Sequence, residues 1–161
     1  MPKKLNLYVG RAGQMAVMAE FLARGYNVAV PEVDVGDDIF VVKDESGDYS
    51  RVQVKAAVAT RTAVGYSARY AIKLAQIQFP SSPETWFIFA NRFEQRWHSF
   101  LVVSRPELNA LYIQKQFGSV TQSGILSLYL SYADTKVTCS GQDFSPYVNN
   151  WDAWPHVQHD G

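Results

Sequence analysis

The sequence contains a single cysteine, has no net charge and lacks any long run of apolar residues. Cys139 alone cannot form an internal disulfide, and one cysteine is typical of a protein kept in a reducing compartment, so we expect a cytoplasmic location. No uncharged apolar stretch reaches the ~20 residues needed to cross a bilayer. These absences exclude disulfide-based scaffolds and predict a protein that is not embedded in a membrane.

The charges are balanced overall, with 15 basic and 15 acidic residues, but they are unevenly distributed along the chain. Residues 32–48 hold seven of the acidic residues and only one basic residue, Lys43, so the remainder of the chain is basic. A metal-dependent enzyme that acts on a phosphate polymer needs acids gathered within a basic surface. A solvated acidic hairpin tip would give the same composition.

The length of 161 residues predicts one domain spanning residues 1–161. Alanines, methionines and leucines at helical spacing predict a helix from Arg11 to Arg24, capped by Gly25. We expect strands over 26–30, 38–43, 50–58, 85–90 and 99–103, a second helix over 106–117, and a segment, 67–78, that begins as a strand and ends as a helix. Residues 124–132 and 135–139 predict a C-terminal peripheral hairpin. This order favours an α/β or α+β fold with a mixed sheet flanked by helices.

The hairpin around Gly47 brings polar residues together. A turn centred on residues 46–47 places Asp38 opposite Lys55 and puts Gln53 on the same face. The other face is aliphatic and suited to packing against the first helix. A carboxylate with an amide oxygen can hold Mg²⁺, and a lysine beside it can orient water or stabilise charge at phosphorus. An ordinary cross-strand Asp–Lys pair would have the same spacing.

Five segments, taken in order, resemble the small PD-(D/E)XK endonucleases: Gly10–Gln14, Leu22–Tyr26, Val28–Pro31, Asp34–Ile39 and Arg51–Lys55. The resemblance implies a restriction-endonuclease-like fold and Mg²⁺-dependent hydrolysis of DNA, with Mn²⁺ as a possible substitute. It implies catalytic roles for Asp38, Gln53, Lys55 and Gln14, and metal ligation by Asp38, Gln53 and Val54. Cutting both strands of a duplex usually needs two sites, so we also expect a homo-oligomer.

Two glutamines depart from the family pattern. Gln53 stands in the place of the second acid of the motif, and Gln14 stands where a glutamate is common. Glu32, Asp34 or Asp37 could supply another carboxylate. Arginines and a tyrosine on and after the strand that carries Lys55 are the expected DNA contacts, namely Arg51, Arg61, Tyr66 and Arg69.

Two other functions fit parts of the sequence. A catalytically degenerate nuclease fold would act as a nucleic-acid-binding or protein-binding module, which the two glutamines favour. A dinucleotide-binding domain is suggested by Leu7–Gly13 before a helix, although this segment has only two of the three glycines of that motif.

Overall fold

The computed structural model of the protein describes residues 3–33 and 36–154. The α-helices in these ranges are α1 (Lys3–Ala23), α2 (Leu74–Gln78) and α3 (Arg105–Gln114). The strands are β1 (Asn27–Ala29), β2 (Ile39–Val42), β3 (Tyr49–Val58), β4 (Thr60–Thr62), β5 (Gly65–Lys73), β6 (Thr85–Phe93), β7 (Arg96–Ser104), β8 (Ser119–Val120), β9 (Ile125–Ala133), β10 (Lys136–Cys139) and β11 (Gln142–Asp143). Of these strands, β4, β8 and β11 are too short to have been predicted from alternation.

The strands form two sheets. In the first sheet the order is β1-β2-β3-β6-β7, and only the β3–β6 pair is parallel. The second sheet has the order β11-β10-β9-β5-β4, with β8 also paired to β9, and its pairs are antiparallel. The predicted mixed α+β fold is therefore confirmed.

Each face of the first sheet has its own core. One face packs against the second sheet through buried residues such as Phe87, Phe89 and Tyr70. The opposite face is covered by α1 and by the two tryptophans of the C-terminal segment, Trp151 and Trp154. The C-terminal segment that carries these tryptophans therefore packs back onto the domain.

Helix α1 begins at Lys3, earlier than the predicted start at Arg11. Its buried stripe recurs every four residues, at Val9, Gly13, Val17 and Phe21. The helix ends where Gly25, at a φ of 85°, lets the N–H of Tyr26 donate to the Phe21 carbonyl at 3.0 Å. The stripe of alanines and methionines that predicted the helix faces outward, because strand β3 packs against the side of the helix that carries Gly13 and Val17.

The predicted register of the hairpin around Gly47 is wrong by two residues. Ile39 pairs with Val52, and the Lys43 N–H donates to the Asp48 carbonyl at 2.9 Å. The loop therefore holds four residues, 44–47, because Gly47 adopts a φ of 73° and closes it from its last position. A shift of two residues preserves the faces, so the aliphatic side still packs against α1.

The hairpin of β9 and β10 exists, but β9 is central to a sheet and not peripheral. It pairs with β5 over nine residues, from Gly65–Ala133 to Lys73–Ile125. Its leucines at alternate positions, Leu126, Leu128 and Leu130, are buried against the first sheet. Burial of this face gives β9 more contact with the core than a surface hairpin would have.

Candidate active site and nucleic-acid surface

Asp38 directly precedes β2 and lies beside residues 52–54 of β3, not opposite Lys55 as predicted. Its N–H donates to the Val52 carbonyl at 2.9 Å, and its Oδ2 accepts from the Val54 N–H at 2.7 Å. The carboxylate thus satisfies a strand N–H that β2 is too short to reach. Val54 lies between Gln53 and Lys55 in sequence, so the Asp38 carboxylate lies beside β3 at a residue that is next to both of them.

Val54 presents its backbone to this same edge. In an extended strand the N–H and C=O of one residue point to the same side. Because the Val54 N–H points to Asp38, its carbonyl points to that side as well. The predicted ligand oxygen of Val54 therefore faces the region of the Asp38 carboxylate.

Gln14 connects α1 to this edge. Its Nε2 donates to the Asp38 backbone carbonyl at 2.6 Å, and its Oε1 accepts from the Arg11 guanidinium at 2.7 Å. Both ends of the carboxamide are thus engaged by protein groups. The arrangement fixes the main chain of Asp38 against the helix, which is a positioning contact.

Gln53 is the most enclosed member of the site. The residue is 5% exposed, and its Oε1 has no hydrogen-bond partner among the described residues. A buried carbonyl oxygen without a partner costs about 1–3 kcal/mol. The residue lines two adjoining cavities, of about 270 Å³ and about 540 Å³, although its Oε1 atom is itself enclosed.

Lys55 lies two residues farther along β3 and is half-buried. It lines the larger cavity of about 540 Å³ together with Gln53, Gly36, Lys73 and Gln76. By strand alternation Lys55 and Gln53 lie on the same face of β3. The lining of this cavity thus combines Gln53 and Lys55 of the first sheet with Lys73 of the second.

The other acidic candidates differ in their surroundings. Asp37 is buried, pairs with Arg51 at 3.3 Å and lines the smaller cavity together with Gln53, while Glu32 is exposed. Asp34 lies outside the described residues. Among the residues that the structure describes, no three Asp, Glu, His or Cys side chains gather into a metal-binding group. Asp38 is the carboxylate that contacts β3 between Gln53 and Lys55, through the Val54 N–H.

All four predicted DNA contacts have partners within the protein. Arg51 pairs with Asp37, and Arg61 pairs with Glu94 while its guanidinium lies over the Phe93 ring at 5.1 Å. Tyr66 is stacked between Phe93 and Tyr132, with ring centroids at 4.5 Å and 4.7 Å. Burial raises the pKa of the Tyr66 hydroxyl, which contacts His98 Nδ1 at 3.1 Å.

Two of the predicted contacts are exposed, Arg61 and Arg69. Arg69 lies on the outer face of β5, donates to Ser127 Oγ at 3.2 Å and lies over the Tyr129 ring at 5.5 Å. Lys73 shares this face four residues along the strand, at the cavity that contains Lys55. Sequence reasoning missed Lys73 and Tyr129. The signal for Lys73 was its even spacing from Arg69, because residues an even number of positions apart lie on the same face of a strand.

The glycines of the suggested dinucleotide motif are helical. Gly10 and Gly13 both lie inside α1, so Leu7–Gly13 forms no strand and no phosphate-binding turn. Gly13 has a packing role, since a Cβ there would lie 2.5 Å from the Ala56 side chain. The dinucleotide-binding alternative is wrong for this reason.

Among the described residues, no helix combines the length and apolar character needed to cross a bilayer.

Comparison with known proteins gives one kind of similarity. The chain matches no described protein family and no curated protein. Among solved structures it is similar to a bacterial homing endonuclease, I-Ssp6803I, with a TM-score of 0.55 over 94% of this chain and 89% of that chain. The sequence identity is 18%, so the similarity concerns the fold, which is of a nuclease-like type.

Proposed function

We propose that this protein is a metal-dependent DNA endonuclease of the PD-(D/E)XK type, with its active site at Asp38, Gln53 and Lys55. The observation that carries the proposal is the placement of Gln53, whose buried Oε1 has no partner among the described residues, in the lining of a cavity that also contains Lys55. The nuclease-like fold, shared with a homing endonuclease, supports the same reaction class.

The donor set fits Mg²⁺, with Mn²⁺ as a substitute. Mg²⁺ prefers hard oxygen ligands and is usually held by one or two carboxylates plus water and substrate phosphate. Asp38, the Gln53 amide oxygen and the Val54 carbonyl would supply three such oxygens. When bound, the ion would polarise the phosphodiester and lower the pKa of an attacking water.

The protein's own groups supply the remaining functions. Lys55 would place its ammonium group next to the phosphate oxygens, where negative charge increases in the transition state. The Val54 N–H and the Gln14 amide hold Asp38 in place through its carboxylate and its backbone, at 2.7 Å and 2.6 Å. Pre-positioned groups of this kind act without reorganisation during the reaction.

The duplex would lie along the outer face of the second sheet. Outward positions on β5 and β9 carry small hydroxyl side chains with Arg69, Lys73 and Tyr129, and they include no carboxylate. A basic face without acids attracts the phosphate backbone. Lys73 would extend this surface to the cavity of Lys55.

A nicking assay on supercoiled plasmid DNA tests the proposal. The full-length protein should nick DNA with Mg²⁺ or Mn²⁺, and EDTA should stop the reaction. Lys55→Ala should abolish nicking and leave the circular dichroism spectrum unchanged, whereas Lys115→Ala, at an exposed position after α3, should cleave normally. Equal nicking by the wild type and the Lys55 variant would contradict the assigned mechanism.

A binding module without catalytic activity is the second candidate. Gln14 and Gln53 replace acids of the motif, and Gln14 is already engaged with the Asp38 backbone. This candidate predicts DNA binding without cleavage in either metal, and binding unaffected by Asp38→Ala.

A further inference from the structure

Helix α1 has a second apolar stripe that the rest of the described fold leaves uncovered. Leu5, Tyr8, Met15 and Leu22 are 46%, 64%, 59% and 54% exposed, and two exposed alanines stand between them, at positions 12 and 19. The buried stripe of the helix, at Val9, Gly13, Val17 and Phe21, lies on the other side. A helix with two apolar sides packs against something on each of them.

The spacing of the exposed stripe is that of a coiled-coil seam. The six residues are separated by three, four, three, four and three positions, so every seam position of the helix is apolar: Leu5, Tyr8, Ala12, Met15, Ala19 and Leu22. Alternating steps of three and four keep one line of side chains facing a partner helix. We call this set of six residues the α1 seam.

The order of large and small residues identifies the partner. Reversing the α1 seam about a point between residues 13 and 14 pairs Tyr8 with Ala19, Ala12 with Met15, and Leu5 with Leu22. In an antiparallel arrangement of two copies, each inner layer therefore holds one large and one small side chain. A two-fold axis makes an interface in which the same patch serves both subunits.

A parallel pairing fits this seam less well. It would place Tyr8 beside Tyr8 and Ala12 beside Ala12 of the two copies, so wide and narrow layers would alternate. Voids at the alanine layers would lose packing contacts. The antiparallel arrangement also sets the basic N-terminal half of the helix, with Lys4 and Arg11, against the C-terminal half of its partner.

We infer that two copies of this chain associate through the α1 seam as an antiparallel helix pair. The axis of this pair passes at the level of Gln14, where the helix contacts Asp38. The inference concerns the oligomeric surface and does not require cleavage activity.

Sedimentation equilibrium on the full-length protein tests the association. We expect a dimer at tens of micromolar protein for the wild type. Met15→Glu places two carboxylates near the axis and should weaken the dimer at least about 100-fold. The matched control is Ile113→Glu, at a 74% exposed position on α3, which should leave it unchanged. Ala19→Glu serves as a second substitution in case Met15→Glu does not fold.

Disulfide trapping tests the orientation. Cys139 is buried and is replaced by serine in this experiment. Mild oxidation of a mixture of Tyr8→Cys and Ala19→Cys proteins should give the mixed disulfide dimer, while Tyr8→Cys alone should give none. A monomeric wild type, a dimer insensitive to both seam substitutions, or trapping of Tyr8→Cys with itself would overturn the inference.

Discussion

Replacement of Asp38 by asparagine or by alanine separates the structural from the chemical role of its carboxylate. In the folded protein Asp38 Oδ2 accepts a hydrogen bond from the Val54 N–H at 2.7 Å. Asparagine keeps an oxygen acceptor of the same reach and loses the negative charge. Alanine removes the acceptor and leaves a half-buried strand N–H without its partner.

The two substitutions should therefore differ in stability and agree in activity. A buried N–H without a partner costs about 1–3 kcal/mol, so we expect Asp38→Ala to lower the free energy of unfolding by that amount. Asp38→Asn should keep the free energy of unfolding within about 1 kcal/mol of the wild type. Loss of the charged ligand should reduce nicking by at least about 100-fold in both, which corresponds to about 2.7 kcal/mol of barrier.

Urea unfolding monitored by tryptophan fluorescence gives the stability difference, and electron paramagnetic resonance of Mn²⁺ gives metal binding without reference to activity. We expect Asp38→Asn to bind Mn²⁺ more weakly than the wild type. A variant Asp38→Asn that binds Mn²⁺ and nicks plasmid as the wild type does would refute the assignment of Asp38 as a metal ligand. Equal stability of the two variants would refute the structural role of the Val54 contact.

Three further predictions concern packing, charge and DNA. Gly13→Ala should destabilise the protein by about 1 kcal/mol, because overpacking against β3 exceeds the gain in helix propensity. Gly10 has open space around it, so Gly10→Ala should stabilise the protein by about 0.5–1 kcal/mol, and urea unfolding measures both changes. Glu84→Ala leaves the buried Arg105 without its carboxylate partner and should cost about 2–4 kcal/mol. The hydrogen bond from the Arg105 guanidinium lowers the pKa of Glu84 in the folded protein. The stabilisation is therefore present above the pKa that Glu84 has in the unfolded chain, and it is lost as the pH falls through the lower pKa of the folded protein. The unfolding curves of wild type and variant should thus converge in acid. Arg69→Ala should reduce the slope of log affinity for duplex DNA against log salt by about 0.9, and an unchanged slope would remove Arg69 from the DNA surface.

Local pattern was sufficient for most of the secondary structure. Helical spacing predicted the helix that precedes Gly25, alternation predicted β3, and apolar runs predicted β6 and β7, each strand within a few residues. Segment 67–78 was predicted to change from strand to helix, and it does so at Leu74. These elements follow from short-range preferences, which are encoded in neighbouring residues.

The details of the site depend on contacts between distant segments. The register of the hairpin was predicted two residues off, because a two-residue type I′ turn needs a positive φ at both central residues, and of residues 46 and 47 Gly47 alone has it. The placement of Lys73 in the cavity of Lys55 depends on how the second sheet packs against the first. No spacing along the chain encodes that packing.

The sequence by itself determined that Gln53 and Lys55 share one face of a strand, because side chains alternate with a period of two along any extended chain. It also determined the two apolar stripes of α1, because both recur at helical spacing. Only the tertiary structure decided which stripe is buried and that Gln53 Oε1 is enclosed without a partner among the described residues. Burial depends on what a surface meets, and the sheets that cover one stripe and enclose that oxygen are brought there by long-range packing.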